Sequence, residues 1–317
     1  MALKFLQRLL LVQLLNLLLG CGLATAWAAE PAVVIVTSER SASYLDAIGA
    51  LEDELARTGM SRTDIQTVTM AELALLSLPL SPKIFIAVGL RAASLMAARD
   101  GKTPLIATLL PRGGFEQIAG VAERKATAAL SGVCVDQPFS RQLDLIRLAL
   151  PMARRIGVLW GLDAPVQMPR LHSASQGRGV QLVTAQVGAG ESVFPALARV
   201  LEEAEVLLAV ANPQIYNSSS IQNILLASYR SNVPLIGFSP GYVQAGAVLS
   251  LYSTPAMIGR QTAVMVRSFL QGKALPTMPQ YPREFEVGVN TQVARSLGLT
   301  LDAAALTDRL RQLESVP

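Results

Sequence analysis

One histidine, two cysteines and 5% aromatic residues leave this 317-residue chain short of the side chains on which most metal sites and many active sites depend. His172 has no second histidine with which to form an HExxH zinc motif, and the two cysteines are not in CxxC spacing. Cys134 sits in the apolar run Gly132-Val133-Cys134-Val135, where a small buried thiol is expected rather than a nucleophile. His172, on an expected surface helix, has no local link to it, so Cys/His catalysis is not expected. There is no GxSxG elbow, and a hydrolase would need a nucleophile, a base and an orienting group. Charged residues are only 16% of the chain, and the bases are mostly scattered arginines, with Arg154-Arg155 the one adjacent arginine pair. Nucleic-acid binding would need a clustered basic face, so no nucleic-acid partner is expected. No cofactor is expected either.

What the chain does have is apolar residues, 51% of the total, enough to exclude intrinsic disorder and to fill a large core. The length suggests two domains. Residues 1–28 differ from the rest. A short basic head with Lys4 and Arg8 precedes an apolar run from Leu9 to Leu19, followed by the small residues Gly20, Cys21, Gly22, Ala24, Ala26 and Ala28. This is the order of a secretory signal peptide, with Ala26-Trp27-Ala28 as the cleavage pattern. The alternatives are an uncleaved anchor, for which the run is short, and a lipoprotein, because Leu18-Leu19-Gly20-Cys21 resembles a lipobox that would lipidate Cys21. Cleavage after Ala28 removes two bases and no acid, which lowers the formal net charge from +4 to +2. The mature protein is expected to be exported, either soluble or lipid-anchored.

Downstream, strand and helix patterns alternate. Ala32-Val33-Val34-Ile35-Val36 is a continuous apolar run, as in a strand buried on both faces. Tyr44, Ile48, Leu51 and Leu55 follow at helical spacing. Further strands are expected at 65–68, 83–88 and 104–108, with a helix at 91–98. The rhythm restarts with a helix from Pro138 to Leu150, then strands at 155–160, 180–187, 206–210 and 233–238. Helices at 169–177, 193–203 and 218–230 separate them. A tail follows, with strands at 247–252 and 285–289 and helices at 255–271, 291–297 and 302–313. The pattern describes two doubly wound α/β units with a short crossing near Val135–Pro138 and no Gly/Ser-rich linker.

Three stretches then carry a family resemblance. They are Leu130-Ser131-Gly132-Val133 with Gln142-Leu143, Leu150-Pro151 and Arg155-Ile156-Gly157-Val158-Leu159; Pro234-Leu235-Ile236-Gly237-Phe238-Ser239 with Gly241-Tyr242-Val243 and Gly259-Arg260-Gln261; and Val289-Asn290 with Leu297-Gly298-Leu299-Thr300. In order and spacing the chain resembles the ABC-transporter substrate-binding proteins of the tryptophan/tyrosine-binding type. The resemblance implies a type I periplasmic binding fold: two parallel-sheet lobes joined by a hinge of several crossings. It places residues 31–134 and 239–282 in the N-terminal lobe, and residues 135–238 and 283–317 in the C-terminal lobe. It also implies a small-molecule ligand, an amino acid or similar solute, and an inner-membrane ABC permease as partner.

Ligands of open α/β sheets sit beyond the carboxyl ends of the strands. In the first lobe those ends offer Ser38, Gly89 and Thr108. In the second, Trp160 could stack on a ligand ring or fill the core; Ser239 and Tyr242 sit at the second crossing, and Tyr252 follows the late strand. Asn212-Pro213-Gln214-Ile215-Tyr216-Asn217-Ser218-Ser219-Ser220 follows a strand and opens a helix. Asn212, Tyr216, Asn217 and Ser218 are therefore candidates, with the N–H groups and hydroxyls of 218–220 able to hold an anion; simple helix capping is the competing reading. The expected function is solute capture for an ABC permease without covalent chemistry. An exported sensor that signals to a membrane receptor would use the same cleft. A repressor on this fold would need a helix-turn-helix, where this chain carries the signal-like segment.

Overall fold

The computed structural model describes residues 31–75, 81–99, 101–124, 129–162 and 164–315. The signal-peptide, cleavage and Cys21 lipidation readings fall outside the described residues. Two sheets organise the chain.

The first sheet has five parallel strands in the order β2-β1-β3-β4-β5. They are β1 (Val33–Thr37), β2 (Ile65–Thr69), β3 (Ile84–Val88), β4 (Leu105–Leu110) and β5 (Leu130–Cys134). The runs in β1 and β3 are wholly buried because helices cover both faces of the sheet, as continuous apolar sequence requires. Val33 and Ile35 face a core with Ile48, Leu51, Ile258 and Val266, whereas Val34 and Val36 face one with Phe85, Ala92 and Phe115. The helices of this lobe include α1 (Ala42–Arg57), α2 (Met70–Leu75), α3 (Leu90–Ala97) and α4 (Arg112–Arg124). Helix α4 has no counterpart in the sequence pattern, because Gly113 and Gly114 at its start are poor helix formers.

The second sheet has the order β11-β10-β9-β8-β6-β7. β6 (Arg155–Trp160), β7 (Gln181–Gln186), β8 (Val206–Leu208), β9 (Leu235–Gly237) and β10 (Leu249–Tyr252) run parallel to their neighbours, and β11 (Glu286–Val289) runs antiparallel to β10. Its helices include α5 (Phe139–Ala149), α6 (Ala164–Ser175), α7 (Val193–Glu203), α8 (Ile221–Arg230) and the short α9 (Pro240–Ala245). Helix α6 begins five residues before its expected start and contains Pro169.

The resemblance-derived boundaries need one correction. Residues 239–252 do not return to the first lobe, because β10 pairs with β9 and β11 inside the second sheet. The chain goes back only from α10 (Pro255–Leu270) onward, where Ile258, Ala263 and Val266 join the core beside β1 and β3. Its contact with α1 is close: a Cβ at Gly259 would lie 2.1 Å from the carbonyl oxygen of Ala47. Thr108 donates to the Thr262 hydroxyl at 2.8 Å, and Thr262 donates to Ile258 O at 2.8 Å, so β4 and α10 are joined at a buried point. The chain then forms a single rung on the edge of β5. Gln280 N donates to Gly132 O at 2.8 Å, and Cys134 N donates to Gln280 O at 2.9 Å. After β11, α11 (Thr291–Ser296) and α12 (Ala303–Ser315) pack on the second lobe through Ala294, Leu306 and Leu310. The chain therefore crosses between the lobes around 135–138, 253–254 and 281–285.

Candidate functional site

These crossings form the floor of a cavity of about 470 Å³ between the carboxyl ends of the two sheets. The first lobe contributes Ser43, Tyr44, Leu109 and Arg112. The second contributes Phe139, Gln142, Gln167, Val210 and Phe238. The crossings themselves contribute Asp136, Gln137, Ser253 and Tyr281. The walls are mainly apolar and aromatic with a few polar groups, the usual character of a small-molecule site.

Asp136 is the carboxylate of the lining. Protein encloses it on most sides, and the cavity gives it some access to water. Burial pushes its carboxyl above the ordinary range, opposed by hydrogen bonds from the Arg112 and Asp136 N–H groups and by the Arg112 charge. Arg112 is 9% exposed and is held in place by its neighbours. Its Nε donates to Glu116 Oε1 at 2.9 Å, and its guanidinium lies 4.8 Å from the centre of the Tyr281 ring. Glu116 also accepts from Arg170 Nη2 at 2.5 Å. Glu116 belongs to α4 and Arg170 to α6, so this ion pair joins the two lobes beside the cavity. Burial raises the Tyr281 hydroxyl, and both arginines pull it back.

Among the sequence candidates, Ser239 and Tyr252 line the cavity. Ser38 and Gly89 stand behind Tyr44. Gly89 has φ +88°, and a Cβ there would lie 2.5 Å from the Tyr44 hydroxyl and 2.9 Å from Ser38 Oγ. Ser38 Oγ donates to Val88 O and accepts from Ala92 N, so it secures the start of α3. Thr108 is spent on Thr262, away from the cavity.

Trp160 does not offer a stacking face. It is 2% exposed in the second lobe's core, edge-on to Phe139, and Phe139 occupies the cavity wall in front of it. Tyr216 is likewise core, packed edge-on against Phe238 and Tyr242, while Tyr242 lies 4.5 Å from the Phe238 ring. Burial pushes Tyr242 up to about 12, so it stays a neutral phenol at physiological pH.

Much of the 212–220 segment bonds within itself, although the buried Tyr216 hydroxyl has no partner among the described residues. Asn212 Oδ1 accepts from Gln214 N at 2.9 Å, and Asn217 Oδ1 accepts from the N–H groups of Ser219 and Ser220 at 3.0 and 3.2 Å. The N–H groups and hydroxyls of Ser219 and Ser220 are therefore engaged in the turn before α8, and Ser218 is exposed. Neither Asn212, Asn217 nor Ser218 lines the cavity. The residues that sequence reasoning missed are Tyr44, Arg112, Asp136, Gln137, Phe139 and Tyr281. Asp136-Gln137-Pro138 did carry a signal: polar residues directly after an apolar run, at the recognised crossing.

Comparison with solved structures shows what the fold resembles. A ligand-free, open substrate-binding protein with adhesive properties from Clostridium difficile is 16% identical, with a TM-score of 0.65 over 86% of this chain and 96% of that one. A conserved domain protein from Vibrio cholerae is 21% identical, with a TM-score of 0.60 over 87% and 97%. A domain from Streptococcus pneumoniae in complex with L-Trp is 17% identical, with a TM-score of 0.59 over 88% and 98%. No curated protein matches the sequence. The model of the family described as ABC transporter substrate binding protein matches residues 114–309, well over half the chain, and the chain belongs to that family.

Proposed function

We propose that the protein is exported, captures a small solute in the inter-lobe cavity by closure of the two lobes, and delivers it to an ABC permease. The observation that carries this reading is the cavity itself, lined from both lobes and from all three crossings, so that an occupant touches every part that must move on closure. Family membership supports the transport role, and the signal-like residues 1–28 support export.

The lining favours an amino acid or similar solute. Asp136 would take a cationic end, while Tyr44, Phe139, Phe238 and Tyr281 would cover an apolar body. The L-Trp complex of the pneumococcal protein is consistent with that class. Binding would proceed without covalent chemistry.

The test is a thermal-shift and calorimetric screen of the purified protein against amino acids, nucleosides, sugars and organic acids. Saturable stabilisation by an amine-bearing solute, weakened at least tenfold by Asp136→Asn, is the expected result. No binding across all four classes would overturn solute capture.

A further inference from the structure

Arg141 is 7% exposed, lies on the first turn of α5 and reaches three separate parts of the molecule. Its Nε and Nη2 form a two-point pair with Glu314 on α12, at 2.5 and 2.9 Å. Its Nη1 donates to Pro282 O in the third crossing at 2.8 Å and to Gln137 Oε1 in the first crossing at 2.6 Å. The Phe285 ring packs beneath it, with the guanidinium carbon 4.3 Å from the ring centre.

Arginine can only donate, so its bond to Gln137 fixes which end of that amide is oxygen. The amide nitrogen of Gln137 then donates to Ser253 Oγ in the second crossing at 2.8 Å, and Ser253 passes its own proton to Glu284 O at 2.5 Å. Every link has a defined donor and acceptor, and the series runs through all three crossings.

Gln137 and Ser253 also line the cavity. After these bonds are made, Gln137 keeps one amide N–H and Ser253 keeps one lone pair. The cavity floor thus offers one donor and one acceptor whose order along the floor is set by Arg141.

We infer that Arg141, held by Glu314, is a positioning residue that locks the three crossings together and fixes the hydrogen-bond polarity of the cavity floor, so that the C-terminal helix sets the balance between lobe arrangements. Without Glu314 the guanidinium keeps its charge and loses its two-point anchor. Gln137 then becomes free to turn its amide, and the register between the crossings loosens. The role rests on solute capture in this cavity, whereas its test reads the hinge with no ligand present.

The experiment measures inter-lobe distances by pulsed electron resonance on the intact chain carrying C21S, with spin labels on L45C and V166C. Both positions are exposed, Leu45 on the first lobe and Val166 on the second. Cys134 is buried and stays unlabelled. E314Q preserves side-chain size and removes one charge. It should lower the population of the parent distance peak relative to other distances by about tenfold, the scale of one charge-assisted hydrogen bond, with an unchanged circular dichroism spectrum. R141K keeps the charge without the planar fork and should do the same. S253A, which cuts the series at its far end, should broaden the distribution while leaving the Arg141–Glu314 pair intact. Parent-like distance distributions in folded E314Q and S253A would overturn the inference and would leave solute capture untouched. An altered hinge in E314Q together with a parent protein that binds no solute in the screen would instead count against the capture reading alone.

Discussion

Asp136 Oδ2 accepts the backbone N–H of Arg112 at 2.6 Å, which ties the first crossing to the start of α4 at the cavity wall. Burial still leaves this carboxyl raised above its ordinary value, so the folded state holds the proton more tightly than the unfolded chain does. As pH rises through the ordinary aspartate range toward the folded value, the unfolded state releases its proton first, and this contribution to stability falls. Asp136→Asn removes the effect while keeping an oxygen that can accept from Arg112. The melting temperature of the variant minus that of the parent should therefore increase between pH 4 and pH 8. A difference that is flat with pH would show that Asp136 titrates as an ordinary carboxylate.

Gly89→Ala combines a left-handed backbone with a clash against Tyr44 and Ser38. A cost of about 1–3 kcal/mol in urea unfolding is expected from the strain. Because Tyr44 must move, solute affinity should also fall. Ser38→Ala keeps the backbone and removes the bonds to Val88 O and Ala92 N without adding a clash, so its cost should be smaller, about 1 kcal/mol.

Gly259→Ala would place a methyl group on the Ala47 carbonyl. The clash is with backbone at a helix contact, so neither partner can yield by changing rotamer. Destabilisation of roughly 2–3 kcal/mol is expected, read as a lower denaturation midpoint with an unchanged slope.

Trp160→Phe tests the core assignment. The indole is enclosed and its Nε1 has no hydrogen-bond partner, so replacing it removes an unsatisfied donor as well as volume. The expected loss is modest, about 1–2 kcal/mol, and solute affinity should stay within about threefold of the parent. A tenfold loss of affinity with stability preserved would restore Trp160 to the site.

The sheets were the legible part of the sequence. Strands such as Ile84–Val88 and Arg155–Trp160 are apolar on both faces, and their length is bounded by turn residues, so pattern alone locates them. The cavity was less legible, because strand-end position does not say which way a side chain points. Trp160 closes a strand yet turns into the core behind Phe139, and the preceding helix supplies the wall. Asn217 and the serines after it stand at a helix start, where free donors are expected, but the Asn217 side chain takes the N–H groups of Ser219 and Ser220 locally, three residues away at most. Asp136 and Gln137 gain their role only because distant segments 253 and 281 return beside them, a relationship with no local signature. The same holds for β10, whose membership in the second sheet is set by pairing with β9 and β11.

The rung that Gln280 forms on β5 has a consequence for how the molecule avoids its own kind. A bare parallel edge is a template on which another chain can pair. Here the strand at that edge is covered by the third crossing, through Gln280 N to Gly132 O and Cys134 N to Gln280 O. Loss of this rung would bare the edge of β5. The segment that leads into the third crossing therefore serves also as a cap that denies this edge to a second chain.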